Sequence, residues 1–148
     1  MDRLIAPLVD HDDDFALWIE QQVSLLRARQ FEQLDIDNLA EELEGMVGHD
    51  RRELSSRLKV AMMHLLKCQC QPKRKSSSWL NGLAHQRDEI AQLLQDSPSL
   101  VREIPVLATR RYRQAVLAAA RDTHLPPKAF PSELPYSAEQ LLDENFVP

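Results

Sequence analysis

The segment "RLKVAMMHLLKCQCQP", residues 57–72, reads as an apolar helix that nevertheless carries Arg57, His64, Lys67, Cys68 and Cys70. Successive helical residues turn by about 100°, so Arg57 and His64, seven positions apart, nearly eclipse on one face. A histidine gives or takes a proton near neutral pH, and an arginine beside it holds an anionic oxygen. Followed back along the same helix, Asp50 falls in the middle of the apolar stripe, with Arg57 and His64 along its flank. In the next segment Arg87 falls between Ala84 and Ile90, and Arg111 is placed in a similar way in the last long one. A lone buried charge costs several kcal/mol, so these groups are expected to answer one another. Asp50, with Glu53 or Glu44, is expected to pair with Arg57 or Arg87, and His64 to lie within reach. Such a cluster is most commonly an ion-pair network that fixes helix register. The other possibility is a solvent-lined cleft, with Arg57 and His64 as catalytic candidates and Asp50, Glu53 and Arg87 as binding candidates.

The six residues between Arg57 and His64 resemble the short-spaced Arg-to-His motif of the HEPN superfamily of helical ribonucleases. That resemblance implies metal-independent RNA cleavage, with the pair stabilising and protonating the phosphate. Metal chemistry fits less well. His64 and Cys68 share a face, but with Cys70 they make three donors where structural zinc takes four, and Cys68 and Cys70 diverge by about 200°. No metal and no cofactor is expected, and Cys68 is read as a small apolar filler. "EELE" at 41–44 lacks the histidine partners of a dimetal bundle and reads as a solvated face. There is no glycine-rich phosphate loop and no nucleophile turn. "KRKSSSW" and "RRYRQ" set basic residues beside Trp79 and Tyr112, a combination that holds RNA by charge and stacking in some proteins. Solvated charges with aromatics in the core are the simpler expectation.

These residues must be positioned by helices. Residues 1–11 read as a loose arm. Asp12 or Asp13 is placed to cap a first helix whose stripe is Phe15, Trp18, Ile19, Val23 and Leu26. Asp35 caps a second, with Ile36, Leu39, Ala40, Leu43, Met46 and Val47 on one face. Leu54, seven residues after Val47, keeps the stripe in phase past Gly45 and Gly48, so one long helix from 36 to 70 is expected, with a kink near those glycines; the alternative is two helices, since glycine can end one. Pro72 stops it. Ser77 or Ser78 caps a helix running to about Gln95. Ser97 and Pro98 start the next, within which Pro105 should kink or restart the chain on its way to about Asp122. From 126 to the end, five prolines mark an irregular tail with one short helix at 138–143, capped by Ser137 and Gln140. Phe130, Tyr136, Leu141 and Phe146 should pack that tail down. The fold expected is all-α, an antiparallel bundle of four main helices in one domain over 1–148.

The bulk numbers agree. The chain has 148 residues, 28% charged and only three glycines, with a net charge of -5. That balance argues against a dedicated nucleic-acid binder. Two cysteines make no disulfide framework, and no basic-then-apolar leader or membrane-length apolar run is present, so a cytoplasmic protein without a membrane span is expected.

Six blocks in order carry a family resemblance: "LDIDNLAEELEGM", "RLKVAMMHLLKCQCQP", "SSSW", "DSPSL", "FPSELPY" and "QLLDENFVP". Together they resemble the bacterial domain-of-unknown-function family twenty-nine, DUF29, from about Phe15 to Pro148. The resemblance implies a helical bacterial protein and supplies no activity. Against its pattern, Cys68 stands where members usually have Trp, His124 where a helix-ending Gly is frequent, and Leu134 where a Cys is frequent. The functional expectation is a non-catalytic helical protein that presents a face to another protein or to itself as a dimer. The alternative is a HEPN-like ribonuclease or toxin–antitoxin component using Arg57 and His64.

Overall fold

Good helix formers and few glycines give a chain of helices with no strand among the described residues. A computed structural model describes residues 7–148. The helices are α1 (Phe15–Arg27), α2 (Ile36–Cys70), α3 (Ser77–Asp96), α4 (Ile104–Thr123) and the short α5 (Ala138–Leu142). The chain divides into two compact units, one up to Gly48 and one from His49 onward.

The unit from His49 holds the main core. Leu54, Leu58, Ala61, Met62 and Leu65 of α2 pack with Leu83 and Ile90 of α3 and with Ile104, Ala108, Ala115 and Ala119 of α4. Pro72 ends α2 by opening a 3-10 turn, Pro72–Arg74. Ser76, rather than Ser77 or Ser78, caps α3, because its side chain accepts from the Trp79 N–H. Pro98 opens a 3-10 stretch, Pro98–Glu103, and α4 restarts at Ile104 with Pro105 in its first turn, where a missing N–H costs nothing. α4 ends on His124 in the left-handed region at φ 61°, a backbone conformation that glycine fits best. The tail closes as its residues predict. Ser137 and Gln140 form a capping box on α5, and Phe130, Tyr136 and Leu141 are buried. Phe146 packs partly buried against the same core.

The unit up to Gly48 is built differently. Of the arm expected over 1–11, residues 1–6 lie outside the described residues; the rest is tied down, with Gln21 accepting from the Val9 N–H and donating to the Pro7 carbonyl. Asp14, not Asp12 or Asp13, caps α1. Among its described residues, Trp18 and Leu25 are the large apolar side chains that this unit buries, joined by Gln21 and Gln22. Phe15, Val23 and Leu26, expected on the same stripe as Trp18, are exposed. So are Ile36, Leu43, Met46 and Val47 on the first half of α2. A pair of helices covers only the sides that face each other, and these stripes lie off that line.

Candidate functional site

The polar residues of α2 do not meet as one cluster. Arg57 stands half-buried among acceptors: Nε and Nη2 reach Glu53 Oε1 at 3.3 and 3.2 Å, Nη1 donates to Gln86 Oε1 at 3.2 Å, and Glu89 lies 3.6 Å away. The expected Glu53–Arg57 pair therefore forms. Asp50 does not join it; the carboxylate faces solvent, 4.0 Å from the His49 ring. The reason is distance along the axis: Asp50 and Arg57 nearly eclipse but stand seven residues, about 10 Å, apart, whereas Glu53 is about one turn from Arg57. His49, Asp50 and Glu53 could bring their donor atoms within 4.8 Å, but Glu53 already serves Arg57 and His49 is open to water.

Arg87 is buried and finds neither Asp50 nor Glu53. Its Nε donates to the Leu141 carbonyl at 2.9 Å and its Nη2 to the Gln140 carbonyl at 2.8 Å. These carbonyls sit at the C-terminal end of α5, where helical backbone leaves acceptors without donors, so Arg87 caps that short helix from α3. Burial pulls the guanidinium below the usual arginine value, and Asp143 pulls it part of the way back. A cleft of about 350 Å³ opens beside it, lined by Leu80, Leu83, Ala91, Leu142 and Val147 with Asp88 and Glu144 at its edge.

His64 packs edge-on against α3 at Gly82. A Cβ on Gly82 would stand 2.6 Å from Nε2 and 2.8 Å from Cε1 of the ring. Its Nδ1 is buried without a hydrogen-bond partner, and burial, then nearby Lys67, holds the ring below the usual histidine range. The His64 ring thus fills the α2–α3 contact, and burial favours its neutral form. The guanidinium of Arg111 also has a buried Nε without a partner.

Two arrangements escaped the sequence. Lys67 is buried, with Nζ 3.1 Å from Asp122 Oδ2 and 4.7 Å from the centre of the Trp79 ring. Both partners lie far off in the chain, and only the apolar neighbours of Lys67 signalled burial. Tyr112 is also buried and donates to the Pro131 carbonyl at 2.7 Å, its hydroxyl pushed up to about 12 by burial. Both aromatics of the supposed RNA-stacking patches therefore have work inside the fold.

Exposed apolar side chains are concentrated in the first unit. Among the described residues thirteen large hydrophobic side chains are exposed, and nine of them belong to residues 7–48. The geometry of that hairpin follows from its polar ties. His11, just before α1, places Nε2 2.6 Å from Glu42 Oε1, while Trp18 and Gln22 further along α1 meet Asp35 at the start of α2. α1 and the first half of α2 thus run antiparallel. The Trp18 indole and the Asn38 amide donate to Asp35, and these bonds, Asn38 foremost, hold its carboxyl below the usual range. Seen from the start of α1, the stripe Phe15, Val23, Leu26 lies about 100° clockwise from the side facing α2. On α2, which runs the other way, the stripe Ile36, Leu43, Val47 lies about 100° anticlockwise from the side facing α1. A clockwise turn on one member and an anticlockwise turn on the other open on the same side. The hairpin therefore presents one continuous apolar face.

The sequence profile of a family described as Domain of unknown function DUF29 matches residues 11–147. No curated protein and no solved structure matches the chain.

Proposed function

We propose that this chain, which belongs to the DUF29 family, works by binding protein through the apolar face of its first helical hairpin and catalyses no reaction. The observation that carries the reading is the concentration of bare hydrophobic side chains on residues 7–48. Large exposed apolar patches on otherwise well-packed proteins mark interaction sites, because leaving them in water costs free energy that burial in a complex returns. The polar residues of the other unit support the same reading from the opposite direction. Arg57 is shared among Glu53, Gln86 and Glu89, and Arg87 is spent on the tail. The free thiols of Cys68 and Cys70 suit a reducing compartment, and we take the bacterial cytoplasm as the setting. No described helix is long and apolar enough to cross a membrane.

A photoreactive residue at Leu43 in the full chain, expressed in bacterial cells, tests this. The binding reading predicts a protein adduct at Leu43 and none at the exposed Arg110 of α4. No adduct at either position overturns it. If instead the purified protein cleaves RNA and His64→Ala abolishes the cleavage, the ribonuclease reading takes its place.

A further inference from the structure

We propose that the occupant of this face is a second copy of the chain, with two hairpins stacked face to face as a four-helix dimer. The inference rests on the binding reading above and names its partner. Area is the first support. The exposed side chains of the two stripes, between 40% and 66% open, together present apolar surface on the order of 700 Å², near the ~800 Å² that each partner contributes to a standard stable interface. A small peptide groove would need far less.

Need is the second support. Among the described residues, the main hydrophobic cluster is drawn from residues after His49. Among the described residues of the first unit, Trp18 and Leu25 are the large apolar side chains buried, beside two glutamines. A helical pair with so little interior of its own is completed by another helical pair of the same length, which is what a copy supplies. Among the described residues each chain has one such face, so a two-fold pairing uses it up and assembly stops at two.

Light scattering on the purified full chain at micromolar concentration tests the inference. Twice the 17.0 kDa of one chain is expected, falling two-fold in Leu43→Glu/Met46→Glu with the helical circular dichroism retained. Should the glutamate pair disturb folding, Leu43→Gln/Met46→Gln removes apolar surface while keeping good helix formers, and the same two-fold fall is expected. A mass of 17.0 kDa for the unmodified chain at every concentration overturns the dimer. If Leu43 still forms adducts in cells, that result assigns the face to a different protein and leaves the binding reading standing. A folded Leu43, Met46 variant that keeps the doubled mass overturns the choice of face.

Discussion

At Gly82 a single missing Cβ decides how α2 and α3 meet. An alanine inside a helix usually gains about 1 kcal/mol over glycine. Here the added carbon would strike the His64 ring. Gly82→Ala is therefore expected to bring little or no gain in the native chain and its full gain in a His64→Ala background. The coupling should be about 1–2 kcal/mol in a urea-unfolding double-mutant cycle. Equal effects in both backgrounds would show that the ring does not rest there. Arg87 offers a second test. Arg87→Met leaves the Gln140 and Leu141 carbonyls without their donors and should cost about 2–3 kcal/mol, with faster amide exchange over 138–147. Unchanged protection of the tail would contradict the capping role. The sequence marked both positions as unusual: a glycine in a helix and an arginine between apolar neighbours. It did not supply their partners, because those lie on other helices and depend on axial offsets that periodicity leaves free. Asp50 was placed wrongly for the same reason.

At the scale of the element, the hairpin and the α2–α3 contact should respond to pH in opposite senses. Hydrogen bonds to Glu42, then to Asp12, raise the His11 pKa above its ordinary 6.5. Its contribution is full below 6.5 and is lost as pH rises through the raised value. For His64 burial lowers the pKa. Its neutral ring contributes above 6.5, and that contribution is lost as pH falls from 6.5 through the lowered value. Amide exchange, corrected for intrinsic rates, should show α1 less protected at about pH 8 than at about pH 5.5, and α2 around His64 the reverse. The same direction of change at both sites would contradict the assignment. Elements were the most legible scale. The unbroken phase from Ile36 to Leu65 favoured one helix across two glycines, Pro105 marked where α4 restarts, and serine spacing predicted the capped α5, whereas the stretch from Pro98 to Glu103, read as α-helix, is 3-10. Cap positions slipped by one residue because adjacent aspartates or serines are equivalent until the helix axis is fixed.

For the whole molecule, periodicity showed which side of each helix is apolar but not whether anything covers it. The stripes of α1 and the first half of α2 look like those of the buried core, and only the structure leaves them bare. A sequence carries the demand for burial; the partner that meets it lies outside the pattern. Met46 and Met62 provide a direct readout, one 66% exposed and one fully buried in the isolated chain. Oxidation of an accessible methionine adds an oxygen that mass spectrometry counts. With peroxide treatment of cells and of highly diluted protein side by side, Met46 should be protected in cells and become reactive on dilution, while Met62 stays protected in both. Rapid oxidation of Met46 under both conditions would mean that the face stays uncovered, and binding through it would be contradicted.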